Sequence, residues 1–226
     1  MLKKATPDTP GAFPVFMSKG MSVQRFIRGE PDGYLVPIKT EKLHSFFDKD
    51  NSNSENQKPR VLKHAAHLLV TAGQNSATAR LTAVACENRY LGSGGWLPVP
   101  DFNFKEAKAL AVFLNSTAGR LQLMRQAGKT IAFPTYNPAA WLPVRGPNIQ
   151  DTSTLITLGD CWEETANIEV PLFREGEGNG VRALWDNAVA KVMDWDPNWL
   201  TELRLLLHDE PHVKALGREE FMEEED

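Results

Sequence analysis

Between Asn103 and Gly128 the chain reads NFKEAKALAVFLNSTAGRLQLMRQAG, and no other stretch limits the fold so narrowly. Asn103 can accept a hydrogen bond from the amide three residues on, and Glu106 can return one to Asn103, which satisfies two free amides at a helix start. The apolar spacing that follows predicts a helix over 104–114. Asn115, Ser116 and Thr117 favour caps over helix interiors, so they end this helix and begin a second. Leu121 and Met124 continue the apolar stripe until Gly128 offers a left-handed stop. Two short helices joined in this way support an apolar face, which needs a second layer to cover it.

Strand-like segments supply that layer. HAAHLLVTAG and ARLTAVAC read as buried strands separated by GQNSAT, and NRYLGSGGWLPVP turns at its glycine cluster into another. Upstream, FPVFMSKGMSVQRFIRGEPDGYLVPI has no helical period and reads as irregular strands. Thr40 can cap a short helix carrying Leu43, Phe46 and Phe47, and the polar DKDNSNSENQKP marks a boundary after it. KTIAFPTYNPAAWLPVRGP is a further strand-like run, beyond which the chain reads as an acidic loop as far as Gly180. Two helices then follow. The first repeats Val181, Leu184, Trp185, Ala188, Val189, Val192 and Met193 at helical spacing. The second is capped by Asp196, begins at Pro197 and is expected to turn Trp199, Leu200, Leu203, Leu206 and Leu207 inward before Pro211 stops it. The acidic EEFMEEED is expected to be a solvated tail. The predicted class is α+β: a mixed sheet with a supporting helix hairpin, followed by a C-terminal helical segment.

A chain of 226 residues with 42% hydrophobic side chains can bury a sizeable core. No apolar run is long enough to span a membrane and the first residues lack a signal-type stretch, so a cytoplasmic protein without a membrane partner is expected. Cys86 and Cys161 stand far apart with no CxxC spacing, which predicts two buried thiols. The charge is unevenly divided. Residues 1–57 hold 8 Lys/Arg and 7 Asp/Glu, residues 58–149 hold 11 and 3, and residues 150–226 hold 6 and 19. The middle third is therefore suited to an anionic partner, unless the acidic third neutralises it.

Enzymatic signatures are weak. The glycine-rich strand-to-helix turn that S-adenosylmethionine requires is missing, and Asn137-Pro138-Ala139-Ala140-Trp141 lacks the second proline of an adenine-methylation motif. Gly92-Ser93-Gly94-Gly95 has no Gly-Lys-Thr after it and suits a tight turn. His64 and His67 have a spacing open to metal but no suitable third ligand nearby, and Cys86 has no basic activator. A non-catalytic chain without cofactor or metal is expected. What the middle third offers is hydrogen-bond donors among aromatics: Arg60, Lys63, Gln74, Asn75, Arg80, Arg89, Tyr90, Trp96, Lys129, Tyr136 and Arg145. Lys and Arg neutralise phosphates, while Asn, Gln and Arg can pair with base edges in the major groove. The expected DNA-binding set is Arg60, Lys63, Gln74, Asn75, Arg80, Arg89, Tyr90, Lys129 and Tyr136. Gln74-Asn75-Ser76 and Arg89-Tyr90 are its most exposed members, in loops between apolar runs.

The series RLTAVACENRYLGSGGWLPV, KALAVFLNSTAGRLQLM and AAWLPV, closed by LWDNAVAKVMDWDPNWLTELRLLLHDEP, resembles the C-terminal target-recognition region of bacterial N6-adenine DNA methyltransferases of restriction-modification and phage-defence systems. FPVFMSKGMSVQRFIRGEPDGY resembles the lead-in to that region. The resemblance implies a specificity module that grips double-stranded DNA while a catalytic methyltransferase domain or subunit, with its S-adenosylmethionine, flips and methylates adenine. It divides the chain into a lead-in segment with a short helix over 1–57, an α+β target-recognition domain over 58–150, and an acidic linker with a helical segment over 151–226. Asn115 to Thr117 are expected to be structural rather than base-reading. The alternative is a protein-interaction or scaffold subunit of a defence complex, docking through its acidic helical end.

Overall fold

The computed structural model describes residues 2–17, 24–37, 64–72, 80–93, 95–126, 141, 143–173 and 180–208. The expected Thr40 helix, the GQNSAT loop, the Gly128 stop, residues 129–140 of the strand-like run over 129–147 and the acidic tail lie outside these residues, and residues 143–147 of that run form no strand.

Among the described residues six strands form one mixed sheet: β1 (Leu2–Ala5), β2 (Phe13–Phe16), β3 (Gly33–Pro37), β4 (Ala66–Thr71), β5 (Ala83–Gly92) and β6 (Trp96–Val99). Their spatial order is β1-β3-β2-β5-β4-β6. All neighbours are antiparallel except β2 and β5, which run parallel with Val15 opposite Leu91. β5 is the longest strand and joins the N-terminal strands to β4 and β6. At its end the backbone closes on itself. A side chain at Gly92 would place its Cβ 2.2 Å from the Trp96 carbonyl oxygen, so only glycine fits this turn into β6.

The predicted helix hairpin is present as α1 (Phe104–Asn115) and α2 (Thr117–Gln126), and both bonds of the Asn103–Glu106 capping box form. α1 lies on β5 and β4 through Ala107, Ala111, Val112 and Leu114, all buried. Within α2 Leu123 is buried, as are Thr117, Ala118 and Arg120 in its first turn; Leu121 and Met124 are half-buried and cover Phe173 and Leu207.

The stretch expected to be an acidic loop before Gly180 instead contains a helix of 14 residues, α3 (Thr152–Thr165). Leu158, Trp162 and Thr165 form its buried line, but Ile156 faces solvent and β-branched Thr152, Thr154 and Thr157 weaken the local propensity. Tertiary packing against α1 outweighs that weakness. Asp151 caps α3 by accepting from the Thr154 amide at 2.8 Å. The hydrogen bonds from Ser153 and Thr154 hold the Asp151 carboxyl down at about 2.

α4 (Gly180–Met193) buries its expected stripe around Trp185 and Val189 and packs against α3 and α1. It ends at Asp194, whose φ of 54° is left-handed, with the Trp195 amide donating back to the Ala190 carbonyl at 2.9 Å. This is the closing bond usually given to glycine at the same position. α5 (Pro197–His208) departs from expectation: Leu200 and Leu207 are buried, whereas Trp199 is 49% and Leu206 68% exposed. It packs on α4 and α2 along the Leu200–Leu207 line, so the 100° step between residues turns Trp199 and Leu206 away.

The main core is one cluster. It contains Phe16 from β2, Ile27 from the segment between β2 and β3, Leu69, Val84 and Trp96 from the rest of the sheet, and Trp162, Trp185 and Leu200 from the last three helices. Both cysteines are free and buried, and burial pushes Cys86 well above the usual thiol range and Cys161 up to about 12.

Candidate nucleic-acid interface

Among the described residues the pairing register of β4 and β5 shifts between Ala66 and Leu68. Ala66 pairs with Tyr90 and Leu68 pairs with Ala85, so two steps along β4 correspond to five along β5. The three surplus residues leave the ladder as a bulge. Burial follows: Ala83 to Cys86 are buried, Glu87, Asn88 and Arg89 are exposed, and Leu91 is buried again. Bulges re-aim side chains that a regular strand would alternate between faces, and they are frequent at functional sites.

The bulge is held at both ends. Its leading end is fixed where the Gly29 amide donates to the Ala85 carbonyl at 2.9 Å and the Ala85 amide to the Ile27 carbonyl at 3.1 Å. His67 lies opposite, its Nδ1 3.0 Å from the Cys86 carbonyl oxygen and its ring 5.9 Å from that of Phe104. At the trailing end Arg89 Nε donates to the Ala65 carbonyl at 2.8 Å, and the Tyr90 ring packs 5.9 Å from Phe16. Burial raises the Tyr90 phenol above its ordinary value, opposed by a hydrogen bond from Asn88.

Of the nine side chains expected to bind DNA, Arg60, Lys63, Gln74, Asn75, Lys129 and Tyr136 lie outside the described residues. Arg89, on the bulge, and Tyr90, the paired residue that closes it, are adjacent within β5 rather than in the expected loop. Arg80 is placed apart from them. Its Nη1 donates to the Val170 carbonyl at 2.8 Å and lies 3.4 Å from Glu169, and its side chain is 17% exposed. Trp96, grouped with the donors by sequence, is buried edge-to-face against Phe16 at 5.6 Å. Arg145 is exposed, and its backbone is clamped by the Gln122 side chain through bonds of 2.7 and 2.9 Å.

No family model, curated protein or solved structure matches this chain.

Charges of the acidic third reach into the basic third. Lys108 Nζ lies 2.7 Å from Glu163 on α3, and Glu169 pairs with both Arg80 and Arg25. A cleft of about 490 Å³ beside these pairs is lined by Gln24, Arg25, Phe26, Arg28, Glu30 and Asp32. Its arginines are balanced by carboxylates: Arg25 pairs with Glu169 at 3.0 Å, and Arg28 lies 3.9 Å from Glu163 while stacking on Trp162 at 5.2 Å. Among the described basic residues of the middle third, Lys105, Arg89, Arg125 and Arg145 are the exposed ones.

Behind the hairpin a buried polar network fixes the helix junction. Asn115 accepts from the Thr82 amide at 2.7 Å and donates to the Ala83 and Ala111 carbonyls at 2.7 and 2.8 Å, which ties the end of α1 to the start of β5. Asp186 on α4 accepts from the Thr117 amide at 2.7 Å, from its hydroxyl at 2.8 Å and from Arg204 at 2.6 Å. Burial raises the Asp186 carboxyl above its ordinary value, while burial and then the neighbouring Arg120 lower Arg182. Arg120 and Arg182 lie over the Phe173 ring at 3.8 and 4.9 Å. Sequence reasoning missed Asn88, and it missed Asp186, whose signal was present: Arg182 and Asp186 repeat at i and i+4 on the same apolar face as Trp185 and Val189.

Proposed function

We propose that this chain is a non-catalytic DNA target-recognition module, working in the cytoplasm with an N6-adenine methyltransferase domain or subunit of a restriction-modification or phage-defence system. In this reading S-adenosylmethionine and the methyl transfer belong to that partner. The observation that carries the proposal is the bulge of β5, which lifts Asn88 and Arg89 off an otherwise buried strand. The excess of 11 Lys/Arg over 3 Asp/Glu in residues 58–149 supports it. Because Arg80 and Lys108 already face carboxylates of this chain, phosphate contacts fall to the exposed cations and to those outside the described residues. Binding of the full chain to duplex DNA is expected to weaken with salt. Four phosphate contacts predict a slope of about −3.6 in log K against log salt, or roughly 100-fold between 50 and 200 mM. An affinity that changes by less than about threefold over that range overturns the proposal.

The second reading, an interaction subunit of such a complex, is favoured by α5. Trp199, Leu205 and Leu206 are exposed there, around the carboxylate of Glu202. Removing residues 176–226 would also strip Trp185 and Leu200 from the core, so a point substitution is the cleaner test. Leu206→Asp is expected to leave stability within about 0.5 kcal/mol, as for other surface changes, while a partner protein is lost on co-purification from the native host. Retention of that partner would remove this reading.

A further inference from the structure

An arginine side chain has three donor nitrogens, and which of them the protein occupies decides what the remainder can recognise. In Arg89 the Nε is occupied: it donates to the carbonyl of Ala65, the residue before β4, across the bulge, at 2.8 Å. Its residue is otherwise exposed, and the bond holds the base of the guanidinium plane against the sheet. Among the described residues no partner engages its two terminal nitrogens, which make two parallel donors in a rigid fork.

We infer that Arg89 reads a guanine in the major groove of the target duplex. This deepens the DNA-recognition proposal and rests on it. Two adjacent donors match two adjacent acceptors, and among the bases only guanine presents such a pair on its major-groove edge, at O6 and N7. Adenine offers an acceptor beside a donor, thymine an acceptor beside a methyl group, and cytosine a donor. Anchoring through Nε also removes in advance part of the rotamer freedom that a free arginine would lose on binding. Lysine at this position would retain the charge but has neither the fork nor the anchor.

The test is selection of bound sequences by the full chain from a randomised duplex library, with wild type, Arg89→Ala and Arg89→Lys compared after thermal melts show equal folding. Wild type is expected to require guanine at one position. Both variants should lose that preference by about 10- to 100-fold while their affinity for unrelated duplex changes little. Replacing that guanine by 7-deazaguanine, which lacks the N7 acceptor, should weaken wild type and leave both variants unaffected. Three results overturn the assignment and leave DNA recognition standing: an unchanged site in Arg89→Ala, a uniform loss across all sequences, or rescue by lysine. The last two would mark a phosphate contact. Absence of any duplex binding by wild type would remove both proposals together.

Discussion

Asp186→Ala is expected to destabilise the protein by about 3–5 kcal/mol, the usual cost of removing one partner from a buried ionic contact. Asp186 is 1% exposed and receives three hydrogen bonds, two from Thr117 at the start of α2 and one from Arg204 on α5. It therefore joins α4 to both α2 and α5. Without it the Thr117 amide loses its acceptor, and Arg204 keeps a largely buried charge. Arg120, Arg204 and Arg80 each act on Arg182 electrostatically and Asp186 opposes them, so its loss leaves that repulsion less screened. Urea denaturation measures the effect as a lowered midpoint at constant slope. A loss below about 1 kcal/mol would mean that water reaches the site and replaces the carboxylate.

Asn115→Ala is expected to cost about 2–6 kcal/mol, because it strands at least one buried amide and one buried carbonyl at about 1–3 kcal/mol each. The side chain is 2% exposed and gives both halves of its amide to the backbone: Oδ1 to the Thr82 N–H, Nδ2 to the Ala83 and Ala111 carbonyls. That division of donor and acceptor makes the chemistry specific. Asn115→Asp is nearly the same shape, yet it would set a carboxylate oxygen against two carbonyl oxygens, so it is expected to be at least as destabilising as alanine. Equal stability of Asn115→Asp and wild type, measured by the same denaturation, would contradict the assigned orientation of the amide.

These two residues show how far the sequence is legible. The helix–junction–helix from Asn103 onward could be read directly, because capping depends on residues three apart and those bonds form as expected. Asn115 to Thr117 could be identified as a junction, but not the partners of Asn115 on β5 or of Thr117 on α4, which lie 32 and 69 positions away. α3 was hidden for a related reason. Its buried line of Leu158, Trp162 and Thr165 is sparse, and burial against α1 rather than local preference makes it a helix.

The candidate interface divides in the same way. Arg89 and Tyr90 stood out in the sequence as polar and aromatic residues between apolar runs; Arg89 is on the bulge and Tyr90 closes it opposite Ala66. The mismatch of two steps on β4 against five on β5 belongs to the pairing of two strands, and no property of either strand alone contains it. Arg80 and Lys108 counted as positive charge in the sequence, but their meeting with Glu169 and Glu163 is an outcome of how α3 folds back.

By itself, then, the sequence determined the local elements whose signals span a few residues: the capped hairpin, the turn at Gly92, the stripe of α4 and the uneven charge. Only the tertiary structure decided which charges cancel, which face of α5 stays exposed and which residues a strand pushes out of register. Each of those depends on partners distant along the chain, and distance in sequence carries no hydrogen bond or ion pair until the fold brings the groups within reach.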